Sequence, residues 1–534
     1  MLLAFSGGDV RAAEAPLIDA GQGHALMQKA AHGLFGVALG LLREAGRGTY
    51  GATAVVLAGS GNNGADALYA GERLLRRGVA ATAVLTSERV HAPALQAFLA
   101  AGGRSVLLDD AGAPGLAAHA ASADLLVDGI LGTGATGGLR GAGAAFVQAF
   151  NDTAGPRGRR STLVVACDLP SGIGVDSGLV EGPVLQADAT VTFGAAKPGL
   201  LIGDGAVAAG ELNVVDIGLD LSSFTPAARN LLGADAAALL RPPGAHDHKY
   251  SRGVLGVAAG SDRYPGAAVL AVGAALATGV GMVRYLGPTA VAALIHERTP
   301  EAVASTGSID DARSQAWVVG PGAVDDDDQR RRAVAAMASG LPVVVDAGAL
   351  AEVPDRVGAQ VILTPHAGEL RDLLAARGLD VGRPAIEADP ARFALRAAEL
   401  TGATVLLKGF TTVVAAPSGT LFVQADATPW LATAGAGDTL SGIIGALAAT
   451  LAEDEGAARR VGVAEEDLWV AVAAAGALIH GRAGQRAAQR GPVVVSGLPA
   501  EIGAVVAGLI DERRLPDTGP RRTRGGDAVN RTDS

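Results

Sequence analysis

A carboxylate set directly behind a run of small residues is the most reactive-looking feature of this 534-residue chain: Thr433-Ala434-Gly435-Ala436-Gly437-Asp438-Thr439, followed by the apolar run IIGALAATLA. Small side chains at a helix start leave successive backbone N–H groups uncovered, and those groups suit phosphate oxygens. A carboxylate there can accept a proton from an attacking hydroxyl while the amides hold the phosphoryl charge. The residue order favours this over an ordinary helix-start charge at Asp438. A second loop, Gly59-Ser60-Gly61-Asn62-Asn63-Gly64-Ala65-Asp66, lies between TAVVLA and ALYAGERLLRR. Its glycine spacing alone describes a dinucleotide-type turn. The two amides and the carboxylate add oxygen donors for a monovalent cation or a polar ligand. Two more segments end in such donors: Asp128, ahead of the loop Gly132–Gly138, and Asp168-Leu169-Pro170-Ser171-Gly172. Neighbouring strand ends would gather Asn63, Asp128 and Ser171 at one point, an all-oxygen set for a hard cation.

These residues need a frame, and the chain repeats one. A short β-branched run, a glycine turn and an Ala/Leu-rich amphipathic segment recur, with strands expected at 53–58, 123–130, 162–170, 317–322, 341–348, 360–366 and 404–409. Alternation of this kind predicts βαβ units and parallel sheets covered by helices, with reactive loops at the carboxyl ends of the strands. Periodicity lapses at DIGLDLSSFTPAARN and restarts at Val254. The expected division is residues 1–222, residues 232–508, and a polar, Arg-rich tail at 511–534 that buries too little to order.

Composition removes other classes. Lys plus Arg number 43 and Asp plus Glu 54, a net charge of −11, which argues against nucleic-acid binding. One cysteine, Cys167, excludes a disulfide framework and a multi-cysteine zinc site. The uncharged stretch YPGAAVLAVGAALATGVGMV reads as a buried helix rather than a membrane span, and no secretory leader is visible in MLLAFSGGDV, so a cytoplasmic location without membrane contact is expected. His246, Asp247 and His248 read as surface residues of a turn, and Asp325–Asp328 as a solvated helix start.

GSGNNGADALYAGERL, DGILGTG, CDLPSGIGVDSG and ADATVTFGAAKPGL together resemble the NAD(P)H-hydrate epimerase domain across nearly all of 10–220. The resemblance implies a Rossmann-like parallel sheet that interconverts the R and S forms of the hydrated cofactor at C6. It puts Asn63, Asp128 and Ser171 on potassium ligands and Asp168 on a catalytic acid/base that also binds substrate. Asn62, Asn63, Gly64, Ala65 and Asp66 fall on substrate-binding positions, as do Gly132, Thr133, Gly134, Ala135, Thr136, Gly137 and Gly138. Ala65 and Ala67 stand where the family loop usually has glycine.

The second half carries the ribokinase-like signature at 433–442. Its further segments HKYSRGVLGVAAGSDRYPGAAVLA, ILTPHAGEL, LLKGFTTVVAAPSG and WLATAGAGDTLSG are similar to the NAD(P)H-hydrate dehydratase family over about 245–505. That resemblance implies a ribokinase-like α/β domain that removes water from the S hydrate at the expense of ADP or ATP with Mg2+. Ala267, Gly322, His366 and Asp438 would contact the hydrate, with Asp438 catalytic. Lys408, Gly409, Phe410, Thr411, Thr412 and Gly437 would contact the adenine nucleotide. The expectation is thus an α/β, two-domain repair enzyme for hydrated NADH and NADPH, with K+ in its first domain and a homo-oligomer allowed. The alternative is a ribokinase-like small-molecule kinase fused to a Rossmann-like binding module, which would share the AGAGD loop but has no use for TPHAGE or the NNGAD loop.

Overall fold

A computed structural model describes residues 1–135 and 137–514. In chain order the strands are β1 (Leu2–Ala4), β2 (Thr53–Ala58), β3 (Ala80–Leu85), β4 (Arg104–Leu107), β5 (Leu125–Gly129), β6 (Leu163–Cys167), β7 (Ala189–Phe193), β8 (Glu211–Val215), β9 (Ala228–Asn230) and β10 (Val254–Ala258). They continue with β11 (Met282–Leu286), β12 (Val303–Ser305), β13 (Ala316–Val319), β14 (Val343–Val345), β15 (Val361–Leu363), β16 (Thr404–Leu407), β17 (Thr412–Ala415) and β18 (Leu421–Gln424). All seven β-branched runs picked out above contain strands.

The first half forms a seven-stranded sheet in the order β4-β3-β2-β5-β6-β7-β8, parallel throughout. Fully buried runs such as Val55–Ala58 are what a sheet covered on both faces requires. Helix Gly23–Glu44 covers one face with Leu26, Ala30, Leu34, Ala38 and Leu42, a four-residue spacing that makes one stripe. Each fully buried Leu there contributes about 1.5–3 kcal/mol. It is the one helix among the described residues long and apolar enough to cross a membrane, and this stripe is what its apolar residues serve.

The larger sheet has eleven strands in the order β1-β9-β18-β17-β16-β15-β14-β13-β10-β11-β12. From β16 to β12 neighbours run parallel, while β16, β17 and β18 form an antiparallel meander. The uncharged stretch after Arg263 splits into helix Pro265–Thr278, a Gly279 turn with φ 102°, and β11. Glycine at 256 lets the fully buried Trp317 ring lie flat against β10, since a Cβ there would sit 2.2 Å from the ring.

Two features cross the division drawn from the sequence. β1 pairs antiparallel with β9, and β9 lies parallel to β18, so the first residues of the chain close the edge of the second half's sheet. The terminal ammonium also meets Asp235 at 2.7 Å. Asp511–Arg514, expected to begin the tail, instead complete helix Leu498–Arg514, carried on by buried Leu509. The rest of the expected tail, 515–534, lies outside the described residues.

In the parallel part of each sheet strand order reverses once: at β2, whose neighbours are β3 and β5, and at β10, whose neighbours are β11 and β13. Ligand crevices in open α/β sheets form outside the strand ends at such points.

Candidate active sites

At the β2 reversal, a cavity of about 410 Å³ opens between the loops after β2 and β5. Asn62, Asn63, Asp66, Gly132, Thr133, Gly134, Ala135 and Asp168 line it, as the sequence suggested. Gly64 and Ala65 do not, because they lie beneath the loop: a Cβ on Gly64 would fall 2.1 Å from the Gly59 carbonyl oxygen. Gly137 and Gly138 also lie off the lining, with Gly138 pressed against the Glu181 carbonyl. Thr136 lies outside the described residues. The methyls of Ala65 and Ala67 point into the core, and Ala67 lies opposite Gly129, whose missing side chain leaves room for it.

Asp168 sits just past β6 with φ 65°, a backbone state costly for a non-glycine residue and typical of functional turns. One carboxylate oxygen accepts from Lys197 Nζ at 2.6 Å and Thr192 Oγ1 at 3.1 Å. The other accepts from the Thr133 N–H at 2.9 Å and from the Thr133 hydroxyl. Burial pushes this carboxyl up, but Lys197 and the Thr133 bonds more than offset it and hold the group below the usual carboxylate range. Lys197, 1% exposed, also donates to Thr192 Oγ1 and the Phe193 carbonyl.

Asn63 is linked to Asp128 and Ser171 through the Leu131 backbone. Asp128, fully buried, accepts from Ser171 N at 2.8 Å and Ser171 Oγ at 2.6 Å, and Ser171 Oγ accepts from Leu131 N at 2.8 Å. Burial raises the Asp128 pKa, only partly countered by Ser171 and Ile130. Asn63 Nδ2 donates to the Leu131 carbonyl at 2.7 Å, while Asn63 Oδ1 is buried without a hydrogen-bond partner. A buried amide oxygen without a partner is what a monovalent cation would engage, so this oxygen-only set fits potassium.

Arg11, Glu14, Lys197 and Phe193 also line the cavity and were missed. Lys197 and Phe193 stand in and just after a strand, in a segment read only for its likeness. Arg11 and Glu14 come from helix Gly7–Asp19, far away in sequence and without a motif.

At the β10 reversal, Gly435 takes φ 90° and starts helix Ala436–Leu451 with no side-chain cap; the Ala436 N–H donates to the Thr433 carbonyl, which leaves those of Gly437 and Asp438 for a ligand. Gly442 lets this helix lie against helix Pro265–Thr278, where a Cβ would fall 2.2 Å from the Ala271 carbonyl. Gly322, in the loop after β13, packs similarly on Ala267 and Tyr264. Lys408 follows β16, and its Nζ holds Asp346 at 2.8 Å and approaches Glu369 at 3.7 Å. A Cβ on Gly437 would come within 3.5 Å of Lys408 Nζ and 3.7 Å of Asp346, so the ion pair lies against the loop. Ser441 Oγ donates to the other Asp346 oxygen at 2.8 Å. Lys408, His366, Gly437 and Asp438 thus belong to one site, with His366 bridged to Lys408 through the backbone.

Burial and the neighbouring Asp346 push the Asp438 carboxyl up to about 7, against the pull of Lys408. That suits a general base working near neutral pH. His366 accepts the N–H groups of Gly368 and Glu369 through Nδ1, and its exposed Nε2 side lies 3.6 Å from Glu369 Oε1. Gly409 to Thr412 form the turn between β16 and β17, with Phe410 exposed at its tip. Thr411 instead turns to the first half, accepting from Gly203 N at 3.0 Å. Asp346 and Glu369 were missed, although Asp346 lies in the strand run 341–348 and Glu369 in the segment ILTPHAGEL. Behind the loop, neutral His480 meets Thr439 Oγ1 at 3.1 Å; burial drives its pKa down to about 4. His246, Asp247 and His248 lie in a surface turn, and Asp326 caps helix Asp327–Ala338 through Gln329 N, both as expected.

Comparison with known proteins finds relatives of both halves. A family described as NAD(P)H-hydrate dehydratase matches residues 255–504, and one described as YjeF-related protein N-terminus matches 23–199. The bifunctional NAD(P)H-hydrate repair enzyme Nnr of Mycobacterium leprae is 42% identical over 452 residues, covering 83% of this chain and 89% of the relative. The NAD(P)H-hydrate epimerase of Clavibacter sepedonicus is 45% identical over 232 residues, 42% of this chain and 94% of the relative. A solved ADP/ATP-dependent NAD(P)H-hydrate dehydratase from Bacillus subtilis, co-crystallised with ATP/Mg2+, is 26% identical over 52% of this chain and 97% of that one, with a TM-score of 0.45.

Proposed function

The chain belongs to the bifunctional NAD(P)H-hydrate repair enzymes, and from that premise we propose which residues do the work in each half. The first half epimerises the R and S hydrates; the second removes water from the S form with ADP or ATP. The observation that carries the assignment is the Lys408–Asp346 pair seated against Gly437, beside Asp438.

In the second half Asp438 accepts the proton of the C6 hydroxyl. The freed oxygen attacks the terminal phosphorus, which the N–H groups of the 435–438 turn and Lys408 stabilise, and the nucleotide leaves one phosphate shorter. The lone pair of ring nitrogen N1 then expels phosphate from C6, and loss of a C5 proton restores the dihydropyridine. A magnesium carried on the nucleotide phosphates would neutralise their charge, and Asp438 is the carboxylate that would hold it.

In the first half Asp168 is the acid/base, fixed in its ionised form by Lys197 and Thr133, with Asn62, Asn63, Asp66 and Gly132–Ala135 around the substrate. Asn63, Asp128 and Ser171 would hold potassium, which would fix the 130–135 loop and so the Asp168 position.

The test follows each reactant. With S hydrate, Mg2+ and ADP, the chain should form NADH, AMP and phosphate in equal amounts. A stable phosphorylated product without NADH would favour the small-molecule kinase reading instead. Epimerisation should rise with potassium concentration, and Asp128→Ala should abolish that rise while sparing dehydration of pure S hydrate. A potassium-independent wild-type rate would remove the cation from the account.

A further inference from the structure

The first-half cavity holds a second carboxylate whose surroundings are the opposite of those of Asp168. Asp66 lies in helix Asn62–Arg76, which follows β2, whereas Asp168 follows β6. In the sheet β5 runs between those strands, and both carboxylates line one cavity together with the 130–135 loop. Phe193, at the end of β7, gives the cavity an aromatic wall.

Asp168 is surrounded by donors: an ammonium, two hydroxyls and a backbone N–H. Only an ionised carboxylate accepts from all of them. Asp66, 8% exposed, has a buried Oδ1 with no hydrogen-bond partner. A buried, unpartnered carboxyl oxygen belongs to a group that keeps its proton.

Resting on the epimerase reading above, we propose that Asp66 is the general acid of epimerisation, protonating the departing C6 hydroxyl, while Asp168 receives the proton of the water that returns to the other face. The C6–O bond breaks with its electron pair on oxygen, which takes the Asp66 proton and leaves as water. The N1 lone pair closes a C6=N1 double bond, a cation. Water then adds to the opposite face, the N1=C6 pair returns to nitrogen, and the released proton goes to Asp168. The reverse epimerisation uses the two carboxylates in exchanged roles, and exchange with solvent resets them. No oxidant or reductant is needed.

The charged groups facing the cavity agree with this division. Arg11 and Glu14 come from helix Gly7–Asp19, Asp168 follows β6, Lys197 follows β7, and the Cys167 thiol is buried behind. Burial, then Asp168 and Glu14, push the Asp66 carboxyl well above the ordinary range. Two carboxylates pushed apart in this way are a general signature of an acid/base pair. Glu14 is also raised by burial, but Lys197 and Arg11 draw it back.

The experiment uses the full chain without adenine nucleotide, so that only epimerisation of purified R hydrate is read. In water carrying heavy oxygen, every S molecule formed by the wild type should be labelled at C6. Asp66→Asn should lower the rate by ~10²–10⁴-fold with KM nearly unchanged, and remove the fall in rate at rising pH that marks loss of an acid. Its dehydratase rate on S hydrate, with ADP restored, checks that the variant is folded. Asp66→Glu, which keeps the acid, should recover part of the epimerase rate. Unlabelled product, a wild-type rate in Asp66→Asn, or no recovery in a folded Asp66→Glu would each overturn the role of Asp66. A wild type that does not epimerise at all would instead overturn the reading on which it rests.

Discussion

Asp438 illustrates how one residue trades stability for chemistry. Its pKa near 7 means that the dehydratase rate should climb as pH rises through about 7, since only the ionised carboxylate accepts a proton. Asp438→Asn should cut nucleotide-driven dehydration by ~10²–10⁴-fold, read as NADH formed from S hydrate. Turnover near the wild-type rate would remove Asp438 as the base. The same shift has a sign for stability. A carboxyl raised in the fold binds its proton more tightly there than in the unfolded chain, so stability is lost as pH climbs from about 4 to about 7. Near pH ~8 Asp438→Asn should therefore unfold later than wild type, by about 2–4 kcal/mol, and the gain should vanish below pH ~4.

At the scale of elements, two helices decide how the loops sit. Helix Asn62–Arg76 carries Ala65 and Ala67 in its interior with both methyls in the core, so the departure from glycine should not reach the substrate. Ala65→Gly and Ala67→Gly should each lower stability by about 1 kcal/mol in denaturant titrations and leave the epimerase rate within twofold. Helix Leu468–Ala488 holds buried, neutral His480 against Thr439 behind the AGAGD turn. Its pKa is depressed in the fold, so the unfolded chain takes up the proton first, and stability should fall as pH drops from about 6.5 to about 4. That loss, of order ~3 kcal/mol, should be absent in His480→Asn. These elements also mark what the sequence could reveal. The strand runs were legible because buried parallel strands are continuous β-branched segments, and strand ends pointed to Asp128, Asp168 and His366. Short strands such as β1 and β9 have no pattern of their own, because partners distant in the chain define them. Arg11 and Glu14 were illegible for the same reason: only the fold carries helix Gly7–Asp19 to the cavity.

The whole molecule is tied together through its own start. β1 closes the larger sheet on β9, Phe5 N then donates to the Ala196 carbonyl at 2.9 Å beside Lys197, and the next helix lines the first cavity. A fragment beginning at 232 would lack β1, β9 and the Asn230–Val423 bond at 2.6 Å. It should therefore melt below one beginning at 226, and both should melt below the intact chain in a thermal scan. The two chemistries should nevertheless remain separable by single substitutions, because their carboxylates stand at different sheets. The most direct measurement follows purified R hydrate with Mg2+, ADP and potassium through the near-ultraviolet absorbance of the reduced dihydropyridine, in wild type, Asp168→Asn and Asp438→Asn. Wild type should convert all of the R form to NADH. Asp168→Asn should convert S hydrate at the wild-type rate but R hydrate only as fast as it epimerises unaided, and Asp438→Asn should equilibrate R and S without forming NADH. Loss of both activities from either single substitution, in a folded chain, would contradict two independent sites, and NADH formed from R hydrate at the wild-type rate by Asp168→Asn would contradict the epimerase assignment.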